Sequence, residues 1–231
     1  MRLRSTAFIA VPLLTALAIA GCTATPQPAP TTAGPQRTTT PTPTVTATPT
    51  AAAQPTVDGL VVRPEVLEFR SSGSVVETFD YMTDPGQVVA ALTALFGRPP
   101  VDEPIAGNSH FPPGVTHAWG NVLIEEGVRT DRWVDIPYTL ANPRFRVRFI
   151  GPAEGSVWLS SVDGQQAGDS WQLISDDPDS AAFACQGSPV ELSASSGMEG
   201  YGRTAVIARE SDDWTTVLWI GAPDLETTGC A

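Results

Sequence analysis

The chain has 231 residues, and its 13 basic and 25 acidic side chains give a formal net charge of −12. Every basic residue is Arg, so a Walker-type phosphate lysine, a Schiff-base lysine and a Ser-x-x-Lys nucleophile pair are excluded. Beyond residue 56, ten arginines stand against all 25 carboxylates, a net −15, which argues against binding of nucleic acid or an anionic lipid face.

In chain order, Arg2 and Arg4 precede an apolar run from Ala7 to Ala20 that ends in Ala18-Ile19-Ala20-Gly21-Cys22. The run falls short of the roughly 20 residues needed to span a bilayer core, so it reads as a cleaved leader over residues 1–21. The last residues resemble the lipobox of bacterial lipoprotein signal peptides. That resemblance implies that Cys22 becomes an acylated N-terminus, anchoring the protein to the outer face of the cell membrane.

Residues 23–56 contain 13 Thr, 8 Pro and 7 Ala, with no aromatic residue and Val45 as the only branched aliphatic. Such a segment cannot bury enough apolar area to fold, so residues 22–56 read as a lipidated Cys and a disordered spacer. At about 3.1 Å per residue in polyproline II, its reach is roughly 100 Å.

Residues 57–231 read as one globular domain. Leu60–Arg70 is apolar and β-branched and predicts a strand; Ser71–Ser74 is a turn, and Val75–Tyr81 returns as a second strand. Asp84 as cap, Pro85 at the first helical position, Gln87 three residues after the cap and Val88, Leu92, Leu95 and Phe96 at helical spacing predict a helix stopped by Gly97 and Pro99. Arg98–Gly114 is rich in Pro and Gly and predicts a loop, followed by a strand over Thr116–Glu125. From Pro143 to Ile150 the order is strictly alternating, with Arg144, Arg146 and Arg148 on one face and Phe145, Val147 and Phe149 on the other. Ser156–Val162 predicts a strand, and Asp169–Ile174 a short helix capped by Asp169 and closed by Asp176-Asp177-Pro178. Ala182–Gln186, Val190–Ser193, Thr204–Arg209 and Trp214–Ile220 predict further strands, the last two as a hairpin around Glu210–Asp213.

Few helices between runs of strands predict an α+β fold, an antiparallel sheet with one or two small helices on one face. Val62-Arg63-Pro64-Glu65, Phe79-Asp80-Tyr81, Val89–Gly97 and Ala118-Trp119 resemble uncharacterised actinobacterial cell-surface lipoproteins. The helix ending in Phe96-Gly97-x-Pro99, followed by a strand bearing Trp119, is similar to β-lactamase-inhibitor-like and outer-membrane-assembly lipoprotein repeat domains. Over residues 84–150 that likeness implies a small helix on an antiparallel sheet, a protein-binding role and a tandem helix-plus-strands repeat. The second copy, from Asp169 onward, lacks the Gly-x-Pro stop.

Among side chains with chemistry, Cys185 and Cys230 predict a disulfide in an exported protein, closing a loop worth roughly 4 kcal/mol on the chain-entropy account. His110 and His117 flank a Pro-rich turn, and with Asp102 or Glu103 they make a poor metal set, so no metal and no cofactor are expected. Asp176, Asp177 and Asp179 lack the spacing and glycine of a calcium loop. No Gly-x-Ser-x-Gly elbow occurs. Six tryptophans are mostly core by pattern; Trp133, in the polar stretch Arg129–Asp135, is the expected exposed anchor. Arg144, Arg146 and Arg148 repel one another unless carboxylates such as Glu125 or Glu126 stand across the strand pair; unpaired, they form a basic strip for an acidic partner. The expectation is a lipid-anchored, extracytoplasmic, non-enzymatic binding domain, contacting the membrane through its N-terminus and an envelope protein or cell-wall polymer through Arg144, Arg146, Arg148 and Trp133. The competing class is a membrane-anchored hydrolase whose site carries no recognisable motif.

Overall fold

The computed structural model describes residues 56–109, 111–182, 184–194 and 202–226. The leader, the spacer up to Pro55, His110 and Cys230 lie outside the described residues.

The apolar stretch from Leu60 to Arg70 is a hairpin rather than one strand, β1 (Gly59–Val62) and β2 (Val66–Ser71), folded at Arg63-Pro64-Glu65. Pro64 cannot donate to a ladder, which explains the break. Ser72 and Gly73, at φ 49° and 80°, turn the chain into β3 (Ser74–Asp80); two successive left-handed residues match the twist of a tight hairpin.

Helix α1 (Pro85–Phe96) begins as expected: the Asp84 carboxylate accepts from the Gly86 amide at 3.0 Å, and Gly97 at φ 65° ends it. Val88 and Leu92 are buried, and the Phe96 ring lies 6.3 Å from that of Trp119, which fixes the helix on the sheet.

Part of the expected loop Arg98–Gly114 is an edge strand, β4 (Val101–Ile105), with all five residues exposed. Because neither face is buried, no alternation marks it, and Pro104 with two acids is usual protection for a free edge. The Thr116–Glu125 stretch divides into β5 (Gly114–Trp119) and β6 (Val122–Gly127) around Gly120-Asn121, with Gly120 at φ 65°. Strand β7 (Phe145–Phe149) keeps its predicted phase, with Phe145, Val147 and Phe149 buried.

Strands β8 (Ala153–Glu154) and β9 (Val157–Ser161) follow. Helix α2 (Trp171–Ser175) is capped by Ser170, not Asp169, whose carboxylate instead accepts from the Gln166 amide at 2.8 Å and closes the preceding turn. Within the expected strand Ala182–Gln186, the described residues make one bridge, Ala184 to Glu226. Strands β10 (Ser188–Leu192), β11 (Thr204–Glu210) and β12 (Val217–Leu225) complete the chain, the last two as a hairpin.

The fold is α+β, with the strands in two sheets. One has five strands in the order β3-β2-β1-β9-β8, with β1 and β9 parallel; the other has seven antiparallel strands, β10-β11-β12-β7-β6-β5-β4. A helix leading into a meander thus occurs twice, α1 into β4–β7 and α2 into β10–β12, and the meanders join at the β7–β12 pair. Both sheets contribute to one core, in which Leu60, Phe69 and Leu159 of the first share a cluster with Ile124, Phe149 and Ile220 of the second. Tyr81 stitches the layers. Its ring meets Phe145 edge-on at 5.4 Å, and its buried hydroxyl lies 2.8 and 3.0 Å from the Arg63 and Val66 carbonyl oxygens.

Candidate binding cleft

Burial of Phe145, Val147 and Phe149 in the core turns Arg144, Arg146 and Arg148 onto the outer face of the seven-stranded sheet. They are half-buried there rather than fully solvated, and their surroundings differ sharply.

Arg144 lies one residue before β7. Its guanidinium is 3.6 Å from the Asp84 carboxylate and 4.7 Å from the Tyr138 ring centroid; Arg129 lies at 3.7 Å from the same centroid. Arg148 is fully engaged. It pairs with Glu125 at 2.7 Å, donates to the Gln186 side-chain oxygen at 3.2 Å and lies over the Trp219 ring at 4.7 Å. The register explains why there is room over that strand: Arg148 faces Gly221 on β12, where a Cβ would stand 2.6 Å from the Val147 carbonyl oxygen.

Arg146 is the exception. Glu125 is its direct cross-strand partner in the register, but that carboxylate is held diagonally by Arg148. Among the described residues Arg146 has no ion pair, and its one hydrogen bond is a long 3.4 Å contact from Nη2 to the Ala141 carbonyl. A guanidinium carries five donors, so most of its capacity is unused. Burial pushes its pKa below the ordinary arginine value, opposed by the fields of Asp224 and Glu125. Burial likewise raises the Asp224 carboxyl, one of whose oxygens is buried without a partner among the described residues.

Arg146 and Arg148 open into a cleft of about 240 Å³ between the sheet and residues 105–108 and 111–112. Glu125 and Glu126 stand along one side, Phe111 forms a half-exposed apolar wall, and Gln186 closes the other end. Gln186 belongs to the 184–187 segment laid over the sheet, where its carbonyl accepts from Arg209 at 3.2 Å. Its side-chain oxygen is engaged by Arg148, so the amide presents its donor end.

The cleft therefore unites Arg146 and Arg148 and includes neither Arg144 nor Trp133. Trp133 closes a 3-10 turn (Asp131–Trp133), half-buried, with the Arg132 guanidinium 4.8 Å from its ring centroid; it is not the exposed anchor expected from its polar surroundings. The exposed indole is Trp214, 65% accessible in the β11–β12 turn at φ 59° and edge-on to Trp171 at 6.5 Å. A Trp inside a run of Ser, Asp and Thr was the available signal. Gln186 had none, because its contact to Arg148 spans 38 residues.

His117 lies on β5 between Asp102, at 2.7 Å, and Glu126, at 3.9 Å. Among the described residues no group of three His, Cys, Asp or Glu is arranged to hold a metal. The acids at 176–179 each serve the local fold: Asp177 caps the turn at Pro178–Ala181, Asp179 accepts from the Leu192 amide, and Asp176 accepts from Gln172. No described helix is long and apolar enough to cross a membrane.

The chain matches no protein-family model, no curated protein and no solved structure. The cleft's geometry and the leader-like N-terminus are what bear on function.

Proposed function

We propose that this protein is a membrane-anchored, extracytoplasmic lipoprotein whose folded domain binds an acidic partner, an envelope protein in preference to a wall polymer, without catalysing a reaction. The N-terminal half of this reading rests on Arg2, Arg4, the short apolar run and Cys22. The binding half rests on one observation, the unused donors of Arg146 in an open cleft beside a fully paired Arg148. A cation buried without a partner costs stability, so its retention points to a ligand that completes it.

The test uses the full chain. Cys22→Ala is expected to leave the membrane fraction while keeping its thermal transition, and unchanged partitioning refutes the anchor. Immobilised parent chain is expected to retain an envelope protein at physiological salt that Arg146→Gln loses. Equal retention by both refutes the cleft as the binding face.

A further inference from the structure

We propose that the Arg146 cleft is a receptor for a single carboxylate, the side chain or the C-terminus of an acidic protein segment, and selects against phosphate. This rests on the binding role given above and names the ligand chemistry of that site.

The donors come first. Arg146 offers a planar fork with one 3.4 Å bond spent, and Gln186 offers the NH2 end of its amide because Arg148 occupies the oxygen. Two N–H groups of one guanidinium match the two oxygens of a carboxylate, which a point charge such as ammonium does not do. The Gln186 donor is also held before any ligand arrives. Glu125 fixes Arg148, Arg148 fixes the Gln186 side chain, and Arg209 fixes the Gln186 backbone. Binding then costs little ordering of side chains beyond that of Arg146 itself.

The charges decide between anions. Arg148 and Glu125 neutralise each other at 2.7 Å, which leaves one positive charge, Arg146, with the Asp224 carboxyl in the adjoining groove. A monoanion gains the fork and meets modest repulsion. For a dianionic phosphate the repulsion from Asp224 and the attraction to Arg146 both double, whereas the cost of dehydrating the ion grows as the square of its charge, and the cleft has one uncommitted cation to offset it. The half-exposed Phe111 ring on the wall gives the aliphatic stem of an acidic side chain an apolar surface, whereas inorganic phosphate has no stem. A cleft of about 240 Å³ accommodates one such side chain rather than a folded surface.

The experiment titrates the full chain, observed by NMR at the arginine Nε–H and side-chain amide resonances, with four probes at pH 7.5. They are acetyl-Gly-Glu-Gly-Gly amide, its Gln counterpart, acetyl-tetraglycine with a free carboxylate, and inorganic phosphate. The Glu peptide is expected to shift the Arg146 Nε–H and the Gln186 amide saturably, and the Gln peptide to shift neither. Comparison of the Glu peptide with acetyl-tetraglycine assigns the source, side chain or chain end. Arg146→Gln is expected to weaken the better carboxylate probe at least tenfold, and Arg146→Lys, which keeps the charge but loses the fork, at least fivefold. Arg98→Gln, whose partner Glu154 lies elsewhere, is the control for general charge loss. Equal response to the Glu and Gln peptides, phosphate binding tighter than both carboxylates, or undiminished binding by both Arg146 variants overturns the carboxylate assignment. If Arg146→Gln abolishes partner retention yet no carboxylate probe binds, the binding face stands and its ligand chemistry is wrong. If carboxylates bind and no partner is retained, the reverse holds.

Discussion

At the scale of single residues, Arg146 and Arg148 share a strand face and a residue type but have opposite energetic roles. Arg148 neutralises Glu125 at 2.7 Å, and its side chain is 28% exposed against 19% for the carboxylate, so solvent screens the pair only in part. Arg148→Gln leaves a half-buried carboxylate without its cation, at an expected cost of about 1–3 kcal/mol. Arg146→Gln removes a desolvated cation that has no ion pair among the described residues, and the Asp224 carboxyl that loses its field still has that of Arg148. It is expected to be neutral or stabilising, within about 1 kcal/mol of the parent. Urea midpoints of the two variants check this: the Arg148→Gln midpoint should fall and the Arg146→Gln midpoint should not. If both fall alike, the strip is a mutually dependent network, and Arg146 is paired in a way that its single 3.4 Å contact does not convey. The same contrast explains why three alternating arginines read as one feature in the sequence. Alternation reports which face a side chain takes, whereas the diagonal choice of Glu125 by Arg148 depends on the neighbouring strand.

At the scale of elements, legibility follows how local the determining physics is. Helix α1 was readable from Asp84 to Gly97 because capping, a first-turn Pro and a left-handed stop all act within a few residues. Strand β7 was readable because one of its faces is wholly buried. Strand β4 was not, since an edge strand exposed at all five positions leaves no hydrophobic period. Nor was the parallel pairing of β1 with β9, which joins Leu60 to Leu159 across about a hundred residues and puts the strands into two sheets. The cleft was half legible, through Arg146 and Arg148; the loop and the Gln186 segment that enclose it are set by contacts that no local pattern records. The C-terminal element carries a prediction of its own. Ala184 makes an antiparallel bridge to Glu226, and three residues of sequence separate Glu226 from Cys230. We expect Cys185 and Cys230 to be joined, pinning the 184–187 segment that carries Gln186. Intact-mass measurement of the exported protein after alkylation under non-reducing conditions should find both unmodified. Reduction should lower the melting temperature and weaken carboxylate binding together. Two alkylated thiols in the folded chain refute the bridge.

At the scale of the whole molecule, the cleft must collect an anion from within the field of a domain that is itself strongly anionic. The net −15 on residues 57–231 is set by the sequence, and a domain of this length has a radius near 20 Å. A monoanion at that distance from a central charge of −15 is repelled by about 3 kcal/mol in water without salt. With a Debye length of roughly 30 Å at 10 mM ionic strength, about half of that survives; at 150 mM, with roughly 8 Å, only about 0.3 kcal/mol does. The short-range attraction behaves differently. The guanidinium fork and the carboxylate meet in contact, partly shielded by Phe111 and the sheet, where added salt screens little. Relief of the long-range repulsion therefore exceeds loss of the contact term, the reverse of the usual response for a complementary ion pair at a surface. The apparent affinity of the Glu-containing peptide is expected to tighten between 10 and 150 mM sodium chloride, by about threefold to tenfold. The uncharged Gln peptide should show no such trend. Affinity that falls steadily across this range would mean that the approaching anion feels a local positive potential from Arg144, Arg146 and Arg148 that outweighs the acidic bulk, so that the strip acts by attraction at a distance as well as by contact.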